Sequence, residues 1–310
     1  MDTLLDGPFT YRDAVRHGMS RRALGELCAS GDLLRPHVGV YLPASLANDL
    51  DARVATVARL LPTGAAVARE SAAWLLGVDV RPPERWRNPP RLECVVPLGS
   101  IRPQRPGVNA FISDIPVQDV VDVNGVPCTT PTRTALDLAR WRPRFVGLGA
   151  VDALAHAGLT TVDELVSAAR PLAGHRFIRR AREVIGLCEP ATESIPESWC
   201  RLRIVEAGLP RPTVQVSLRN GAGAEVYRLD MGIPEARVGI EYDGVEHHLK
   251  SVADREHDER RRRDIRHRFG WEVLAATSID ILGRVPRLEH AVMELLGVSV
   301  EFRRRPWGLV

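Results

Sequence analysis

Apolar positions fall into three stretches with different periods. In the first, from about residue 5 to 48, Leu24 and Leu27 recur at a helical interval within "MSRRALGELCASG", and "DLLRPHVGVYLP" follows with two short apolar runs. Thr10 heads "FTYRDAVRHG", which ends at Gly18; Ser20 heads the next segment, which ends at Gly31. Hydroxyl residues before an apolar repeat cap helix starts, and glycine ends helices. The pattern predicts helix, glycine turn, helix, then a hairpin broken from Pro36 to Gly39. That order is a winged helix-turn-helix. Its second helix would enter the major groove by its N-terminal end, bringing Ser20, Arg21 and Arg22 to DNA, with Arg35 and His37 on the wing.

The second stretch, 49–188, reads as mostly helical with strands in its first half. "DARVATVARLLP" and "RESAAWLLG" have helical periodicity, and "RLECVVPLG" is a strand expected after a proline-rich loop. "TTPTRTALDLARW" has a threonine and a proline at its helix entrance, and "VDALAHAGLTTVDELVSAA" continues as a helical hairpin. No metal spacing, phosphate loop or nucleophile elbow stands out here, so the segment reads as scaffold.

In the third stretch, 189–300, Glu197 opens a helix whose apolar stripe is Trp199, Leu202, Val205 and Leu209. Alternation in "TVQVSL", "EVYRLDMGI" and "RVGIEYDG" predicts three antiparallel strands, then the helix "DREHDERRRRDIRHRF", then the strand "EVLAAT". A turn at Glu235 and Ala236 pairs Ile233 with Val238 and Met231 with Ile240. Asp230 then stands opposite Glu241, with Asp243 two residues along.

Carboxylates about 5 Å apart repel by roughly 3 kcal/mol at an effective dielectric near 20. A compensating cation is expected. A divalent metal supplies one, and hard oxygen ligands favour Mg²⁺ or Mn²⁺ on Asp230, Glu241 and Asp243. The alternatives are a salt-bridged pairing of Asp230 and Glu241 with the basic helix, a plain Asp243-Gly244 turn, and a Glu197 favoured by the helix dipole alone.

Composition adds bounds rather than chemistry. The 310 residues are 45% hydrophobic and 26% charged, ordinary for a globular protein of two or three domains. No apolar run is long enough to span a membrane and no leader pattern opens the chain, so a cytoplasmic protein is expected. Five scattered cysteines without a CxxC pair argue for reduced thiols. The net charge of +3 says little, but the basic helix sets seven arginines against five acids, which suits nucleic acid or a solvated face.

Two resemblances extend this reading. "GMSRRALGELCASGDLLRPHVGVYLP", "RESAAWLLG" and "VPCTTPTRTALDLAR" resemble the AbiEi-type antitoxins, transcriptional regulators of type IV toxin–antitoxin pairs, over about residues 5–165. This implies operator DNA contact by Arg21, Arg22 and the wing, a cognate toxin as partner, and no catalysis. "RLDMGIPEARVGIEYDGVEHH" with "DERRRRDIRHRFGWEVL" resembles the Vsr-like branch of the PD-(D/E)xK endonucleases, over about 190–297.

The second resemblance implies a restriction-endonuclease-like mixed sheet flanked by helices. It makes Asp230 and Glu241 metal ligands, Glu197 the helix carboxylate, and Arg261 and Arg262 phosphate contacts, and it admits a repair protein as partner. Asp243 stands where the main family has lysine, which leaves His247 or His248 to activate water. The chain is therefore expected to be mixed α/β, with a winged helix at 1–48, an antitoxin-like segment at 49–188 and a nuclease-like domain at 189–300. Its expected function is metal-dependent DNA cleavage; the alternative is a non-enzymatic DNA-binding regulator with an inactive nuclease fold.

Overall fold

The computed structural model describes residues 4–37, 39–47, 49–81, 90–104, 106–244 and 252–303. The chain divides into two compact units, Met1–Gly186 and Leu187–Val310. Both are mixed α/β, and among the described residues no helix is long and apolar enough to cross a membrane.

Unit one opens with β1 (Phe9–Thr10), α1 (Tyr11–Arg16), α2 (Arg21–Ser30), β2 (Leu33–His37) and β3 (Val40–Pro43). Thr10 and Asp13 form a reciprocal capping box, Ser20 caps α2, and Gly31 ends it at φ 88°, a left-handed position that glycine adopts without strain. Phe9, Ala14, Leu24, Leu33 and Tyr41 close a small core under these elements. The hairpin differs from expectation at Pro36, which lies inside β2 rather than in the turn. β2 is an edge strand in the order β1-β3-β2, and the ladder shifts register between Leu34 and His37. An edge with a bulge tolerates a residue that has no N–H to donate.

The rest of unit one is α3 (Leu50–Ala58), β4 (Ala66–Val67), α4 (Arg69–Leu75), β5 (Leu92–Val96), β6 (Val108–Ile112), β7 (Val120–Val123), β8 (Val126–Thr129), α5 (Pro131–Trp141), α6 (Arg144–His156), α7 (Val162–Ala169) and α8 (Ile178–Gly186). The strands form one sheet in the order β6-β5-β4-β8-β7. This is more sheet than the apolar pattern predicts, because strands of two to five residues leave too short an alternation to read. Val57, Val67, Trp74, Leu75, Leu92 and Cys128 form its core, which also takes in Val40 of the wing.

Unit two contains α9 (Ile195–Glu206), β9 (Thr213–Arg219), β10 (Glu225–Ile233), β11 (Val238–Tyr242), α10 (Val252–Phe269), β12 (Glu272–Ala276), α11 (Ser278–Leu282) and α12 (Arg287–Leu296). The sheet order is β12-β11-β10-β9, antiparallel except that β12 runs parallel to β11. The crossover between the parallel strands is α10. The register pairs Ile233 with Val238 and Met231 with Ile240, as the turn length predicts. The turn itself is four residues, Pro234 to Arg237, with Arg237 left-handed.

α9 is buried from Ile195 through Ile204, including Arg201 and Arg203. It packs against β10 and β11 and against α11 and α12, so its polar positions are covered as well as its apolar stripe. A second cluster, Leu218, Leu229, Ile265 and Trp271, joins α10 to the sheet. Close approach there demands glycine. A Cβ on Gly232 would lie 2.8 Å from Trp271 and 2.9 Å from the Val238 carbonyl. Gly232→Ala must push backbone as well as a ring, and is expected to destabilise the chain by about 1–3 kcal/mol in urea unfolding; an unchanged midpoint would contradict this packing.

Candidate functional site

Two sets of charged residues emerge from this framework. On α2, the Ser20 hydroxyl accepts from the Ala23 amide at 3.1 Å, so it is used as a cap. Arg21 and Arg22 take the first two helical positions and are exposed. Arg21 lies 5.3 Å over the Tyr11 ring, and Arg22 Nε donates to Glu26 at 2.8 Å. The first turn holds no acid. Two cations at the positive end of a helix dipole oppose helix stability, and an anion docked there reverses the sign. Arg35, exposed on β2, lies 6.0 Å over the Tyr41 ring. His37 ends β2.

The second set gathers carboxylates in unit two. Glu197, in the first turn of α9, accepts from the Ser194 hydroxyl at 2.6 Å and from the Glu193 amide at 3.2 Å. The Ser194-x-x-Glu197 spacing is the sequence signal for this cap. Burial pushes the Glu197 carboxyl up to about 7; the Ser194 hydroxyl opposes this and the charge of Asp230 adds to it. Asp230 on β10 accepts from the Tyr242 amide at 2.8 Å. Burial raises its pKa, the Tyr242 bond opposes the rise, and Glu241 reinforces it.

Glu241 on β11 is bound by Arg261 of α10, with one guanidinium nitrogen 2.6 and 2.8 Å from its two oxygens. The same guanidinium donates to the Arg228 carbonyl at 3.2 Å and lies 5.5 Å over the Tyr227 ring. Tyr227 is fixed in turn by donating to Asp264 at 2.7 Å. Arg228 pairs with Glu193 at 3.1 Å. Glu193, Arg228 and Tyr227 complete the site, and nothing in their local sequence pattern marks them for it.

The expected residues are thus brought together only in part. Asp230 interacts electrostatically with Glu197 and Glu241. Asp243 follows β11, where its amide donates to the Ala276 carbonyl at 2.8 Å. Arg261 is paired with Glu241, as in the salt-bridged alternative for that acid. Arg262 is half-buried. His247 and His248 lie outside the described residues. Among the described residues, no three of His, Cys, Asp and Glu come together as a group able to hold a metal.

A helix-turn-helix with a wing and cationic helix start defines unit one's N-terminal module as one of the winged-helix class. Comparison with known families agrees. Residues 4–44 match the family described as "Transcriptional regulator, AbiEi antitoxin", and residues 64–187 match "AbiEi antitoxin C-terminal domain". The chain therefore carries domains of the AbiEi antitoxin family. It is similar to two uncharacterised proteins of Mycobacterium tuberculosis, from strains CDC 1551 / Oshkosh and ATCC 25618 / H37Rv. Each is 28% identical over 273 residues, covering 87% of this chain and 94% of the relative.

The Glu197 environment has a pH signature. Its ordinary value is 4.5 and its folded value about 7, so between these the folded chain keeps a proton that the unfolded chain releases. Stability therefore falls as pH rises through that window. Glu197→Gln, which fixes the neutral form, is expected to remove up to about 3 kcal/mol of that fall. Urea unfolding of both proteins at pH 5 and 7.5 checks it; parallel pH profiles would contradict the assignment.

Proposed function

We propose that the chain is a DNA-binding transcriptional regulator of the antitoxin type. The observation that carries this reading is the start of α2, where Arg21 and Arg22 stand exposed on a helix whose first turn has no acid. Phosphate oxygens would accept from the amides at this helix start and from both guanidinium groups. The match of residues 4–44 to a regulator domain supports the same reading. Arg35 extends the contact from the wing, and Ser20 orders the helix end that enters the groove. The matched family also makes a cognate toxin a partner.

A second reading, metal-dependent DNA cleavage by unit two with Mg²⁺ or Mn²⁺, is favoured by one observation: Asp230 interacts electrostatically with Glu197 of α9 and with Glu241 of the adjacent strand. It requires Arg261 to release Glu241. Plasmid incubated with the protein and Mg²⁺, Mn²⁺ or EDTA separates the readings. The regulator reading expects intact plasmid in all three, and metal-dependent nicking would favour the second.

The DNA-binding prediction is direct. A duplex selected from a random pool by the full chain, measured by fluorescence anisotropy, should lose about tenfold or more in affinity with Arg21→Ala and Arg22→Ala together. The slope of log affinity against log salt should fall by about 1 to 2, the lower value if Glu26 already neutralises Arg22. Unchanged affinity and slope would move the interface elsewhere.

A further inference from the structure

Asp230 lies within electrostatic reach of Glu197 on one side and Glu241 on the other, so repulsion along this row of acids has to be relieved. Donors already meet two of them: the Ser194 hydroxyl and the Glu193 amide on Glu197, and the Tyr242 amide on Asp230. Glu241 is left, and the cation beside it is Arg261. We infer that the Arg261 guanidinium stands in the place a divalent ion would take, so that unit two keeps this acid set closed to metal. The inference is independent of the DNA-binding reading of unit one and bears against the cleavage reading of unit two.

Several contacts fix the position of the guanidinium. Arg261 is held to both Glu241 oxygens at 2.6 and 2.8 Å, to the Arg228 carbonyl at 3.2 Å, and over the Tyr227 ring at 5.5 Å. The Tyr227 hydroxyl is tied to Asp264 at 2.7 Å, three residues further along the helix that carries Arg261. The ring and the guanidinium are thus anchored to the same helix. The side chains of Arg261 and Glu241 are only 26% and 17% exposed, so the pair is shielded from full screening by solvent.

The other two acids also have hydrogen-bond partners. Asp230 takes the Tyr242 amide, and Glu197 takes the Ser194 hydroxyl and the Glu193 amide. A hard divalent ion wants about six oxygens at short, regular distances. Here it would have to strip Glu241 from a guanidinium that cannot lose its proton, leaving that cation half-buried beside a second one.

The test is metal binding by the folded full chain, with Mn²⁺ as the probe. Calorimetry at pH 7.5 on the parent is expected to show no saturable site at millimolar Mn²⁺, and thermal unfolding is expected to be the same in Mn²⁺ and EDTA. Arg261→Gln removes the cation and leaves the acids. It should gain a site at least about tenfold tighter than any in the parent, with unfolding shifted upward by Mn²⁺, and Glu241→Gln in the same chain should abolish the gain. A saturable site in the parent that Glu241→Gln removes would overturn the inference, as would a folded Arg261→Gln chain that takes no more Mn²⁺ than the parent. If Arg261→Gln does not fold, the parent and Glu241→Gln titrations decide alone: a Glu241-dependent site overturns the inference, and its absence upholds it.

Discussion

The ion pair between Arg261 and Glu241 governs how unit two can be built. Asp230 of β10 lies within electrostatic reach of Glu241 of β11 and of Glu197 of α9. Such a cluster is tenable only if charge is removed or matched. α10 crosses from β11 to the parallel strand β12, and that crossover presents Arg261 where the match is needed. The apolar side of the crossover, with Ile265 and Trp271, seals the arrangement against the sheet. Fold and charge balance therefore depend on the same helix.

Unit one handles buried charge in the same way. Arg133 on α5 donates to Asp137 at 2.9 Å and to Asp119 at 2.8 Å, and Arg142 donates to Glu70 at 2.8 Å and also binds Glu93. Arginine suits this use because its planar fork can serve two acceptors while remaining charged. The cations left outside such pairs are then the informative ones. Arg21 is exposed and lies over the face of Tyr11, in the part of the chain that matches a regulator domain.

Local devices were legible in the sequence. Thr10, Ser20 and Thr130 are caps because capping acts over three residues, and the hydroxyl of each accepts from the amide three residues on. The register of β10 on β11 follows from the turn length and the alternation of apolar residues. Features that depend on tertiary context were not. β4 has two residues and shows no period, and Pro36 stays in β2 because that strand lies at a bulged edge. The convergence of Asp230 and Glu241 was readable, but the identity of the compensating cation was not. It comes from a helix twenty residues on in sequence, and a run of four arginines does not say which one turns inward.

A double-mutant cycle on Arg261 and Glu241 tests the central claim most directly, by unfolding free energies of the parent, Arg261→Gln, Glu241→Gln and the double variant at one pH in EDTA. If the guanidinium is the counter-ion the cluster depends on, the two substitutions should couple by about 1–3 kcal/mol, and the double variant should be more stable than their added losses imply. Additive losses, with coupling within about 0.5 kcal/mol, would show that Glu241 does not depend on Arg261 and would contradict the account.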